Sequence, residues 1–279
     1  MEKIVFLNGK FLPQSQAGPA AAATPDLLYG WGLFETMRWC NNKIVHFDRH
    51  LRRIKDSSGF LAINFPYPLA RLRKHIEETV KINGFCDACV RLTILKKSGK
   101  ITDTLITVKK YLPFSIAKYR QGFSCAVSPL KQSEGSLLAN LKTTNQILSK
   151  FSYLAAQDKG FDEAIILNNR GYLAEASRSN IFFVRDNEIF TPALECGCLD
   201  GITRKAVFDI AEKQGIKVYP GNFTLRDLGA ADEAFLTNSL MGIMPLRSVE
   251  NHLVGKRSPQ RKFTNFFMEK YNLLLRNGS

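Results

Sequence analysis

Short apolar runs closed by turn dipeptides recur in both halves of this 279-residue chain and set the main limit on its fold. Residues 4–7 read as a strand ended by Asn8-Gly9, a pair that favours the type I′ turn of a hairpin. Residues 33–40 turn at Asn41-Asn42 and return through 44–46, and residues 181–184 and 188–190 flank Arg185-Asp186-Asn187 in the same way. Helical spacing is mingled with these hairpins. Asp48 reads as the cap of a helix with Leu51 and Ile54 on one face, and Pro68 opens another that Asn83-Gly84 stops. Further helices are expected over 147–156, 203–214 and 259–277, and further strands over 89–95, 105–111, 163–167, 216–219 and 233–236.

Neither half shows the regular strand-helix alternation of a doubly wound sheet, so the expected class is α+β, with two mixed α/β domains. The length agrees, because single domains cluster near ~100–150 residues. The stretch 113–122, with Pro, Ser, Lys, Arg and Gln, is the best linker candidate. The expected division is a first domain over 1–114, a linker over 115–121 and a second domain over 122–279.

A hydrophobic fraction of 45% with 23% charged residues excludes disordered, collagen-like and coiled-coil chains. No stretch has the roughly 20 uninterrupted apolar residues of a membrane helix, and the start, MEKIVFLNGKFLPQ, lacks the apolar segment of a secretion signal. A soluble, cytoplasmic protein without a membrane partner is expected. The net charge of +14 attracts anions without choosing among nucleic acid, acidic membranes and small anionic substrates. Six cysteines, paired closely only at Cys86/Cys89 and Cys196/Cys198, read as reduced thiols; the spacing does not suit zinc, and no metal is expected.

The usual dinucleotide, triphosphate, zinc-protease and serine-hydrolase motifs are absent. Four segments remain in which a polar residue stands at a turn or element end within apolar sequence: Tyr29-Gly30-Trp31-Gly32-Leu33-Phe34-Glu35-Thr36-Met37-Arg38, Leu141-Lys142-Thr143-Thr144-Asn145, Leu173 to Phe182, and Leu199-Asp200-Gly201-Ile202-Thr203-Arg204. In this order and spacing they resemble the fold-type IV pyridoxal-phosphate family, which contains branched-chain and D-amino-acid aminotransferases and 4-amino-4-deoxychorismate lyase. The resemblance runs from about Asn8 to Arg247 and implies a D-amino-acid-aminotransferase-like fold with pyridoxal 5′-phosphate as cofactor.

That cofactor asks four things of a protein, and the resemblance assigns residues to each. The amine that bonds the aldehyde and moves a proton is Lys142, in a K-x-x-N pattern with Asn145. Glu175 is the carboxylate facing the ring nitrogen. The phosphate falls to Gly201-Ile202-Thr203 at a helix start, with Arg53 and Ser239, and Asn180 joins the cofactor-binding set. The substrate falls to Phe34, Arg91, Lys96 and Lys97, with Thr36 as a proton donor to a leaving oxygen. Relatives commonly carry an arginine and a glycine after the strand at 91–95, where this chain has Lys96-Lys97-Ser98-Gly99-Lys100. Without the resemblance, each residue has a plainer reading. Lys142 is then a solvated charge, Glu175 an edge-strand carboxylate in water or paired with Arg178, Thr203 a helix cap, Arg53 a solvated helix face, Thr36 a strand residue, and Lys96 and Lys97 a charged hairpin tip.

Lys142-Thr143-Thr144-Asn145-Gln146 lacks the glycine pair and tyrosine usual in branched-chain enzymes, and the run 235–245 is similar to the lyase version of the family. The first expectation is therefore the lyase, which eliminates pyruvate to leave 4-aminobenzoate. The alternative is a branched-chain or D-amino-acid aminotransferase. Family members are commonly homodimers. A remote third reading is a nucleic-acid-binding module built on Lys256, Arg257, Arg261, Lys262, Phe263 and Phe266, but no recognition motif accompanies that basic run.

Overall fold

The computed structural model describes residues 2–21, 29–97, 101–255 and 261–277. The chain falls into two units: Met1–Leu112 with Leu141–Asn145 and Leu275–Ser279, and Pro113–Asn140 with Gln146–Leu274. Residues 141–145, expected in the second domain, group with the first unit.

In the first unit β1 (Ile4–Leu7), β2 (Lys10–Pro13), β3 (Gly32–Cys40), β4 (Lys43–Ile44), β5 (Ala88–Lys96) and β6 (Thr102–Lys110) form an antiparallel sheet in the order β2-β1-β6-β5-β3-β4. Its turns set the registers. Asn8 (φ 49°) and Gly9 (φ 95°) join Leu7 to its partner Lys10, and Asn41 (φ 51°) and Asn42 (φ 60°) join Cys40 to Lys43. Among the described residues the sheet is accompanied by α1 (Gln14–Ala21), α2 (Phe47–Phe60) and α3 (Leu69–Ile82). Asp48 does not cap α2. His46, in the left-handed region, takes that place, and Asp48 lies within the first turn, where its charge suits the helix dipole. Leu51 and Ile54 of α2 and Leu72, Ile76 and Val80 of α3 share one buried core with Met37, Trp39, Val90, Leu92 and Val108.

The second unit holds β7 (Phe123–Val127), β8 (Glu163–Leu167), β9 (Leu173–Ala176), β10 (Asn180–Arg185), β11 (Glu188–Pro192), β12 (Val218–Gly221), β13 (Glu233–Asn238), β14 (Gly242–Val249) and β15 (His252–Leu253). They order as β12-β11-β10-β13-β14-β7-β8-β9, with β15 against β14. The pairs β14–β7, β7–β8 and β11–β12 are parallel and the rest antiparallel. Its helices are α4 (Ile116–Gln121), α5 (Ile147–Asp158), α6 (Ile202–Lys213), α7 (Leu225–Gly229) and α8 (Lys262–Asn277). Most of the expected linker, 115–121, is thus helical: the Ser115 side chain caps α4 by accepting the Lys118 N–H at 3.1 Å. Phe182 of β10 stacks on Phe235 of β13, and Phe235 on Phe267 of α8, at 5.1 and 5.8 Å between ring centres.

Cys40, Cys125, Cys196 and Cys198 are buried as small apolar groups, whereas Cys86 is exposed. Among the described residues no helix is long and apolar enough to cross a membrane, and no three His, Cys, Asp or Glu are grouped to hold a metal.

Candidate functional site

In the first unit the segment 141–145 lies against the Gly32 end of β3 as an added rung. The Phe34 N–H donates to the Lys142 carbonyl at 3.0 Å, the Thr144 N–H donates to the Gly32 carbonyl at 2.9 Å, and Leu33 pairs with Thr143. The Thr144 hydroxyl donates to the Gly30 carbonyl at 2.7 Å. Glycine is required at position 32, because a Cβ there would come within 2.6 Å of Leu95 and 2.8 Å of the Ile94 carbonyl. The sequence around Lys142 therefore fixes its backbone before its side chain does anything.

Strand alternation then sorts the side chains. Phe34 and Thr36 share one face of β3, and Arg91 is the register partner of Thr36 on β5. The buried Phe34 ring has the Lys142 Nζ 4.5 Å from its centre and the Arg91 guanidinium carbon at 3.8 Å. Burial lowers the pKa of Arg91, which makes a carboxylate or phosphate a favourable neighbour. Lys142, Phe34, Thr36 and Arg91 are thus gathered on one face. Lys96 and Lys97 are engaged elsewhere: Lys96 lies 4.0 Å over the Trp31 ring and Lys97 pairs with Asp103 at 3.8 Å. The hairpin tip at 98–100 lies outside the described residues.

The opposite face of β3 holds a cluster that the sequence reading missed. Glu35, fully buried between Leu33 and Met37, accepts Arg53 Nε and Nη2 at 2.7 Å each and meets His50 Nδ1 at 2.6 Å. Burial alone would raise the Glu35 pKa, but the Arg53 charge and His50 hold it down to about 2. His50 is lowered, first by burial and then by the nearby positive charges of Arg53 and Lys142, against the pull of Glu35. One signal was available. His50 and Arg53 stand three apart on α2, and Glu35 interrupts the apolar alternation of β3. Arg53, whose plainer reading was a solvated helix face, is largely buried and ion-paired.

In the second unit two predicted residues grip the backbone of Leu199. Glu175 on β9 accepts the Leu199 N–H at 3.0 Å, and Asn180, first in β10, donates to the Leu199 carbonyl at 2.7 Å. The Asn180 Oδ1 lies so close to Gly201 that a Cβ there would fall 2.0 Å away, so any larger residue at 201 must displace the Asn180 side chain. Gly201 caps α6 with no side-chain acceptor, and the first amides of that helix, at Ile202 and Thr203, have no acceptor within the helix. Thr203 is buried with its hydroxyl 3.4 Å from the Tyr271 hydroxyl. Ser239 follows β13, in a turn where the Asn238 side chain accepts the Leu240 and Met241 N–H groups at 3.0 and 2.9 Å. Since Asn180 pairs with Thr237, this turn and the start of β10 share one end of the sheet.

The buried hydroxyls of Ser179 and Thr237, flanking Asn180 in sequence and in register, find no hydrogen-bond partner among the described residues. The Asn180 side chain lies at the start of α6, whose first amides can serve a buried anion. The residues present fit a phosphorylated group.

A family model described as amino-transferase class IV matches residues 32–249. The aminodeoxychorismate lyase of Bacillus subtilis is 28% identical over 265 residues, covering 91% of this chain and 89% of that protein. The branched-chain-amino-acid aminotransferase of Pseudomonas aeruginosa is 26% identical over 273 residues, covering 92% and 88%. Among solved structures, the branched-chain aminotransferase of Thermoproteus uzoniensis with norvaline superposes with a TM-score of 0.90 at 28% identity, covering 100% of this chain and 96% of that one.

Proposed function

Since the chain belongs to the class IV aminotransferase family and is a pyridoxal-phosphate enzyme, we propose that it transfers the amino group of a small amino acid, with branched-chain amino acids as the first candidates. One observation carries this reading: Lys142 is pinned by its backbone to β3, with its amine against Phe34 and Arg91 against that same ring. When bound, the cofactor supplies an aldehyde carbon for the amine and a conjugated ring that accepts the electron pair released when a substrate proton leaves. Lys142 is the group that removes and returns that proton. Glu175, its orientation fixed by the Leu199 N–H, supplies the negative charge that keeps the ring nitrogen protonated. In the second unit the α6 amides at Ile202 and Thr203, with Ser239 and Asn180, are assigned to the phosphate, and in the first unit the family likeness assigns Arg53 to it. Arg91 binds a substrate carboxylate and Phe34 an apolar side chain. Thr36, beside Arg91, completes that face.

The Pseudomonas aeruginosa and Thermoproteus uzoniensis relatives support transamination and reverse the order of preference reached from sequence. Elimination of pyruvate from aminodeoxychorismate remains as a second reading. Its specific support is the run Phe235-Leu236-Thr237-Asn238-Ser239-Leu240-Met241-Gly242 and the Bacillus subtilis relative. One pair of assays separates them. Purified protein is given L- and D-amino acids with 2-oxoglutarate, and separately aminodeoxychorismate. Glutamate formed from branched-chain donors supports transamination, whereas 4-aminobenzoate and pyruvate with no oxoglutarate consumed favour the lyase.

One member of the basic run behind the nucleic-acid reading is engaged within its own unit. Arg261 donates to the carbonyls of Arg120 and Gln121, and Lys256 and Arg257 lie outside the described residues. A homodimer is proposed from the family likeness.

A further inference from the structure

We propose that Glu35 and His50 are positioning residues that hold the Arg53 guanidinium in the orientation with which it grips the cofactor phosphate. The inference rests on the reading of Arg53 as a phosphate ligand and adds two residues that this reading leaves unused.

Glu35 occupies a core-facing position of β3, where Leu33 and Met37 stand two residues to either side and the alternation asks for an apolar side chain. Its carboxylate meets Arg53 in the bidentate geometry, so the planar fork is set in direction as well as in place. His50, one helical turn before Arg53, reaches the same carboxylate and fixes its rotation. A buried ion pair of this kind is commonly no more stabilising than apolar residues of equal shape, so packing alone gives no reason for it. Orientation does. A guanidinium already ordered by two hydrogen bonds loses its rotamer freedom during folding and not during capture of an anion.

The test titrates the full-length protein, stripped of cofactor, with pyridoxal 5′-phosphate and with pyridoxal, which lacks the phosphate, following absorbance. Glu35→Gln keeps the shape but turns an amide N–H toward a donor of Arg53 or His50. We expect it to weaken pyridoxal phosphate roughly tenfold and to leave pyridoxal unchanged. Arg53→Met weakens pyridoxal phosphate at least as much, and Glu35→Gln adds nothing in that background, as required of a residue acting through Arg53. His50→Leu weakens the phosphate ligand, and His50→Asn, which restores a donor, recovers it.

Equal losses for both ligands in Glu35→Gln would make the role merely structural and overturn the proposal. So would an unchanged affinity in Glu35→Gln when Arg53→Met is weakened. If Arg53→Met itself binds pyridoxal phosphate normally, the phosphate reading of Arg53 fails first. Should Glu35→Gln not fold, the His50 pair decides: equal affinities for the Leu and Asn variants sink the idea.

Discussion

The carbonyl of Lys142 accepts the N–H of Phe34 at 3.0 Å, so the residue that carries the amine is mounted on the same strand as the ring its side chain lies against. A main-chain bond of this kind survives substitution of either side chain. The position of the amine is therefore most sensitive to the glycine that lets the strands approach.

Gly32→Ala is expected to destabilise the protein by about 1–3 kcal/mol, the usual cost of forcing extra atoms into a packed core. Its Cβ must displace Leu95 or part β3 from the Ile94 carbonyl. Urea unfolding checks the stability. Activity should fall further than the unfolded fraction explains, because the 141–145 rung moves with the strand.

Arg91→Met removes the guanidinium beside Phe34 and Thr36 while keeping an apolar stem. The expected result is a KM for carboxylate substrates raised roughly 10- to 100-fold, with a smaller change in kcat, as for an interaction made in ground and transition states alike. Steady-state kinetics across amino acids with and without a second carboxylate would read it. A pure kcat effect would assign Arg91 to something other than substrate binding.

Acid should destabilise the first unit through Glu35 and His50. Glu35 is held at about 2 against an ordinary 4.5, so between those values the unfolded chain binds the extra proton; its contribution is complete above 4.5 and lost as pH falls toward 2. His50 is lowered from its ordinary 6.5, so below that pH the unfolded chain again takes the proton first and stability falls in the same direction. Urea midpoints measured from pH 7 downward should decline, and below about 4.5, where Glu35 itself titrates in the unfolded chain, more shallowly in Glu35→Gln than in the parent. Equal slopes would show that the cluster does not govern the acid limb.

Gly201→Ala drives a methyl group into the Asn180 side chain and breaks the grip on Leu199. Affinity for pyridoxal phosphate should drop about tenfold or more, with a modest loss of stability, because the changed contact lies at the start of α6. Absorbance titration beside a thermal melt distinguishes the two effects.

Local chemistry was legible in the sequence, and distant pairing was not. Asn8-Gly9, Asn41-Asn42 and Asp186-Asn187 each close a hairpin with both residues at positive φ, because the signal lies in the turn itself. The helices with apolar positions three and four apart were equally visible. β14 was hidden by Pro245, and β9 by its four-residue length with Glu175 inside it. The parallel partners of β7 cannot be read from its own residues, since their registers are set by elements far along the chain. In the site, glycines, hydroxyls and a lysine at turns could be named by pattern. Glu35 could not be paired with Arg53 until α2 was laid on β3, nor could Leu199 be seen as the residue shared by Glu175 and Asn180.

The central claim is that Lys142 is the amine joined to the cofactor, and borohydride reduction of the purified holoprotein followed by peptide mapping tests it directly. The account predicts a phosphopyridoxyl group on the peptide that contains residue 142, and none in Lys142→Ala, which also loses the yellow absorbance. Stoichiometric label on any other lysine, or an unchanged absorbance in Lys142→Ala, would contradict it.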